Sequence, residues 1–140
     1  MSRAFLTHQQ IFDHSVTHLL AQKGASLLPL GGGAYRGRNG GCPVGAILRK
    51  NDYRTAMEGV PVRFVGPSTS QIPPYMGSGV AALRRALLRA RVNIYCSETV
   101  ELLSCLQNVH DVFGPWEWND RLMSIARQFG LSARILQQAA

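Results

Sequence analysis

A chain of 140 residues, 46% hydrophobic and 16% charged, suffices for one compact domain with its own core and is short for two. Fifteen basic residues against eight acidic ones give a formal charge of +7, and 13 of the fifteen are arginine, so the expected partner is anionic: an acidic protein surface or nucleic acid. No apolar run reaches the roughly 20 residues of a membrane helix and the first residues lack the apolar block of a signal peptide, while three cysteines without C-x-x-C spacing leave neither a zinc ribbon nor a redox pair. The expectation is a protein of the reducing cytoplasm with no membrane association, no metal and no cofactor.

In chain order, the first element reads as a helix. Thr7 and Gln10 have capping-box spacing, Gly24 stands where a C-terminal cap belongs, and Phe12, Val16, Leu19 and Leu20 form one stripe. His14 and His18 lie four apart, away from that stripe; with no third ligand at a suitable spacing they read as a solvated face, not as half of a zinc site. Residues 25–41 are turn-rich, with room for a short strand on each side of Gly31–Gly33. That glycine run lacks the Gly-Lys-Ser/Thr ending of a phosphate loop, and a flexible turn accounts for it.

Pro43 suits the first position of a short helix that can bury Val44, Ala46, Ile47 and Leu48. Asp52 then offers an N-cap and Gly59 a stop, and Val60, Val62 and Phe64 or Val65 alternate as a brief strand. Three prolines make residues 66–79 a surface loop. After Ser78 a helix places Val80, Leu83 and Leu87 inward and carries Arg84, Arg85, Arg89 and Arg91 on a cationic flank. The next helix runs from near Ser97 to about Phe113 with Leu102, Leu106, Val109 and Phe113 on one face. Pro115 restarts a helix that bears Trp118, Leu122, Ile125 and Phe129 and ends at Gly130, and a last turn or two follows Ser132. Of Trp116 and Trp118, one is expected to fill the interior while the other can anchor a partner. The expected class is mainly α (α+β), a single domain of about five helices with a small β-element from residues near 26–36 and 60–65.

Cys42 carries the sharpest chemical question. A thiol at a helix start lies beside the positive end of the macrodipole and unpaired N–H groups, which favour a thiolate; Gly40 and Gly41 would let a substrate approach, and the same N–H groups could serve as oxyanion donors. The base for such a nucleophile would be His110, with Tyr53 or Glu58 assisting in a hydrolase or transferase. Asp111 projects about 100° away from His110 on a regular helix and is not expected to orient it. The competing role is a small buried cysteine packed at the helix start.

Two further constellations point to polyanions. Arg84, Arg85, Arg89 and Arg91, with Arg36, Arg38, Arg49, Lys50 and Arg54, can form a patch for phosphates if the two groups converge in the fold. In residues 121–137, Ala126, Gly130 and Leu136 match the small residue, turn glycine and buried aliphatic of a helix-turn-helix, which would turn Ser132, Arg134 and Gln137 toward DNA.

With these residues in view, the chain resembles a family of small phage- and prophage-associated bacterial proteins. The likeness rests on the "IFDHSVTHLLAQ" helix, the block Tyr35, Arg36, Gly37, Cys42, Val44, Gly45 and Leu48, then Tyr53 and Met57-Glu58-Gly59, and later "LQNVHD", "W-x-x-x-L" and "IARQFGL". Pro43 stands where such proteins usually show alanine. The resemblance implies context more than chemistry, and it directs attention to Cys42, Tyr53, Glu58, His110 and Asp111. The expected function is that of a basic binding module that modulates a host or defence component. The alternatives are the cysteine-dependent enzyme and the helix-turn-helix regulator.

Overall fold

A computed structural model describes residues 4–22, 34–36, 40–67 and 71–138. Among them are six α-helices: α1 (His8–Gln22), α2 (Pro43–Ile47), α3 (Gly77–Arg89), α4 (Ser97–Val112), α5 (Pro115–Gln128) and α6 (Arg134–Gln138). Four 3-10 turns link them, at Lys50–Asp52, Thr55–Met57, Val62–Val65 and Pro74–Met76. The domain is mainly helical, and none of its described helices is long and apolar enough to cross a membrane.

The first helix starts as its capping box dictates. The Thr7 amide donates to Gln10 Oε1 at 2.9 Å and the Gln10 amide to Thr7 Oγ1 at 3.1 Å, which satisfies two N–H groups that a helix start leaves unpaired. Its buried face is Ile11, Phe12, Ser15, Val16 and Leu19. This face packs on α2, α4 and α6.

At the centre lies α4, which contacts α1, α2, α5 and the Val62–Val65 turn. Covered on several sides, it buries Thr99, Val100, Leu102, Leu103, Leu106, Val109 and His110, more than one stripe would hold. Each fully buried leucine of this kind contributes about 1.5–3 kcal/mol of transfer free energy. From α5, Trp118 enters the core at 1% exposure and donates from Nε1 to the Phe113 carbonyl at 2.9 Å, whereas Trp116 is 84% exposed.

Three local expectations are corrected. The strand expected at 60–65 is a 3-10 turn: the Phe64 amide donates to the Pro61 carbonyl at 3.0 Å, and Val62 and Val65, three apart, are both buried. The apolar spacing fits a three-residue period as well as a two-residue one, and Pro61 has no N–H to give a ladder. Asp52 does not cap a helix; it ends the Lys50–Asp52 turn. The loop expected over 66–79 stops sooner, because α3 already begins at Gly77. Gly79 is buried there, since a Cβ would stand 2.2 Å from the Ala56 carbonyl oxygen, so this glycine serves close packing and does not break the helix. The strand expected near 26–33, the Gly24 cap and Gly31–Gly33 lie outside the described residues.

Both long C-terminal boundaries of α3 and α5 use one motif. In α5 the Gly130 amide donates to the Arg127 carbonyl and the Leu131 amide to the Ala126 carbonyl, with Gly130 at φ 65°. In α3 the Arg91 amide donates to the Leu88 carbonyl and the Val92 amide to the Leu87 carbonyl. Here an arginine, at φ 66°, holds the left-handed position that glycine normally fills, and among the described residues no other non-glycine residue has a positive φ.

Candidate functional site

Two groups of polar residues stand out: a network around Cys42 and a cleft lined by arginines. The network begins where Ala34–Arg36 lie across the start of α2. The Cys42 amide donates to the Ala34 carbonyl at 2.8 Å, and the Tyr35 carbonyl comes so close that a Cβ would lie 1.9 Å from it at Gly45 and 2.1 Å at Gly41. The spacing Tyr35, Gly41, Cys42, Gly45 is therefore a requirement of backbone contact.

Glu58 holds this segment in place. Its carboxylate accepts from the Tyr35 amide at 2.7 Å, the Arg36 amide at 3.3 Å and the Tyr53 hydroxyl at 2.9 Å. The Tyr35 hydroxyl donates to the Val60 carbonyl, and Arg36 Nη2 donates to the Leu48 carbonyl at 3.1 Å with its guanidinium over the Tyr53 ring. Burial holds the Tyr35 hydroxyl well above the usual tyrosine range. Burial, then the Glu58 carboxylate, pushes Tyr53 up to about 12. Tyr53, Glu58 and Arg36 thus act together as a clamp on residues 34–36.

Pro43 does open a helix, with Cys42 as its N-cap: Sγ accepts from the Gly45 amide at 3.4 Å and from Gln107 Nε2 at 3.8 Å. Of the two roles open to Cys42, its burial favours the small cysteine packed at the helix start. Cys42 is 0% exposed, and desolvation pushes its thiol up to about 12 despite the Gly45 N–H. The Gly45 and Val44 N–H groups of the helix start and the Gln107 side chain favour the thiolate, and loss of water outweighs them. This sulfur packs the junction of α2 and α4.

His110 is buried and stacks on Trp118 with ring centroids 6.3 Å apart. Its Nδ1 lies 2.6 Å from Asp111 Oδ1, which overturns the expectation that neighbours on a helix cannot meet. The 100° separation applies at the helix surface; the short carboxylate folds back to the ring nitrogen nearest the backbone. Asp111 orients His110 after all.

The histidines of α1 bracket α2: His14, exposed as expected, donates from Nε2 to the Ala46 carbonyl at 3.0 Å, and His18, half-buried, donates from Nε2 to the Gly41 carbonyl at 2.7 Å. No cluster of three His, Cys, Asp or Glu side chains suited to a metal occurs among the described residues.

On the other side of α2 the arginines meet. Arg49, Arg89 and Arg91 line one cleft of about 780 Å³ together with Leu6, Gln10, His14, Ile47 and Ala90. The Leu6 amide donates to the Arg91 carbonyl at 2.8 Å, which ties the approach to α1 onto the end of α3. Asp52 stands behind the cleft, with Oδ1 3.0 Å from Arg89 Nε and Oδ2 3.9 Å from Arg49 Nε. Among the described residues no other hydrogen bond or ion pair engages these three guanidinium groups. The two arginine groups of the sequence therefore converge in part. Arg84 and Arg85 do not line this cleft, Arg36 is folded onto Leu48 and Tyr53, and Arg38 lies outside the described residues.

The C-terminal helices keep Ala126 and Leu136 buried on either side of Gly130. Ser132 is occupied in fixing α6: Gln9 Oε1 accepts from its amide at 2.8 Å, Gln9 Nε2 donates to its carbonyl at 3.0 Å, and its hydroxyl accepts from the Arg134 amide at 3.3 Å. Arg134 and Gln137 are exposed, and Gln137 shares a hollow with Asp120.

Sequence reasoning passed over two features. Cys96, just ahead of α4, is the thiol that is lowered, first by the Thr99 hydroxyl and then by the Thr99 amide. Its position three residues before a threonine at a helix start was the available signal. The other is the absence of glycine at the end of α3, which marks Arg91. Comparison of this chain with family models, curated proteins and solved structures gives no match.

Proposed function

We propose that this protein works by binding, and that its recognition site is the cleft of Arg49, Arg89 and Arg91, where an anionic group of a partner docks. One observation carries this reading: three arginines from the segment after α2 and the end of α3 line one concave surface with a single carboxylate behind them. Guanidinium forks suit carboxylate and phosphate oxygens, and a cleft focuses their field. The buried, protonated Cys42 supports the same choice over the cysteine-dependent enzyme, because a nucleophile needs both access and a thiolate. The likeness to small phage and prophage proteins suggests a host or defence component as the partner.

Salt-dependent retention on immobilised heparin tests the proposal. The Arg49→Ala, Arg89→Ala and Arg91→Gly variants are expected to elute at lower salt than the parent, and Arg84→Ala with Arg85→Ala close to it. Equal losses from both sets would mean that general surface charge, and not the cleft, governs binding.

A further inference from the structure

We infer that the group this cleft takes is a phosphate monoester on a small, partly apolar organic body, an inference that rests on the cleft being the recognition site. Charge is the first argument. Three guanidinium groups less the Asp52 carboxylate leave two positive charges (3 − 1 = 2). A phosphate monoester carries about −1.5 to −2 at neutral pH, whereas a carboxylate or a phosphodiester carries about one negative charge. Of these three groups the monoester matches the charge of the cleft.

The second argument is shape. Asp52 engages Arg89 through Nε at 3.0 Å, while its Oδ2, without a hydrogen-bond partner, stands 3.9 Å from Arg49 Nε, so the carboxylate holds the Arg89 group from one side. Leu6, Ile47 and Ala90 add an apolar wall, with the Gln10 amide and the His14 ring beside it. A volume of about 780 Å³ falls within the roughly 300–1,000 Å³ of small-molecule sites and exceeds what a bare phosphate fills. Arg91 supplies the third argument. Glycine would relieve its left-handed backbone, as Gly130 does at the matching position of α5, yet the strained position carries an arginine that lines the cleft.

Calorimetric titration with phenyl phosphate, methyl phenyl phosphate and benzoate, with heparin retention run in parallel, tests this. Phenyl phosphate is expected to bind about tenfold more tightly than the diester or the carboxylate, the difference of one charge-assisted contact. Arg49→Ala and Arg91→Gly should each weaken it by about tenfold while melting temperatures hold, Arg91→Gly melting no lower than the parent. Equal affinity for monoester and diester overturns the inference. So does an absence of binding by all three small anions while heparin retention still depends on the three arginines, and that result leaves the proposed function standing. Loss of both removes both.

Discussion

Asp52 Oδ1 lies 3.0 Å from Arg89 Nε, and this pair fastens the turn that follows α2 to the last turn of α3. The Asp52 side chain is 11% exposed but that of Arg89 is 54% exposed, so solvent screens the attraction to about 0.5–1 kcal/mol. Asp52→Asn should lower stability by that amount in urea denaturation. It should also tighten binding of phenyl phosphate, because the cleft then keeps all three positive charges. Weaker anion binding in this variant would contradict the role given to Asp52.

Arg91 and Gly130 occupy equivalent positions with opposite chemistry. Relief of left-handed backbone strain should make Arg91→Gly more stable by about 1 kcal/mol, while Gly130→Ala should lose about 1 kcal/mol at φ 65°. Thermal denaturation of the two variants checks the opposite signs. A destabilised Arg91→Gly would show that the arginine is there for packing.

Gly45→Ala tests the contact between Ala34–Arg36 and α2. The added methyl carbon would stand 1.9 Å from the Tyr35 carbonyl oxygen, against backbone that cannot rotate away. The expected cost is about 1–3 kcal/mol, with loss of the Glu58 contacts to residues 35 and 36. Stability equal to the parent would mean that this segment does not pack as described.

The three thiols should separate by reactivity. At neutral pH iodoacetamide should label Cys96 first, Cys105 more slowly because burial and Glu101 raise it, and Cys42 only after unfolding. Peptide mapping of the labelled protein reads that order. Cys42 also predicts an alkaline limit. Its folded value lies above its ordinary one, so its contribution to stability is complete below 9.0 and is lost as pH rises toward about 12. Tyr53 acts with the same sign between 10.0 and about 12. Melting temperature should fall through that window, and Cys42→Ala should flatten the part owed to the thiol.

The long helices were legible because each carries its own signals. Thr7 with Gln10, Pro115, Gly130 and the stripe through Leu102, Leu106 and Val109 are local facts, and the helices start, stop and bury as those residues require. Residues 60–65 were not legible in that way: Val60, Val62 and Val65 satisfy two periods, and the choice depends on whether another strand is available. The site was harder still. Pro43 and Cys42 announced the short helix, but the sign of the thiol's shift depends on burial by α4, which no spacing near residue 42 encodes. Convergence of Arg49 with Arg89 and Arg91 is a matter of tertiary packing, and its one local trace is a helix that ends "LLRARVN" without a glycine.

Arginine side-chain Nε–Hε resonances of isotope-labelled protein, followed while phenyl phosphate is added, test the cleft most directly. Arg49, Arg89 and Arg91 should shift together and saturate at one affinity while Arg84 and Arg85 stay still. Shifts spread evenly over all the arginines, or confined to residues outside the cleft, would contradict the account.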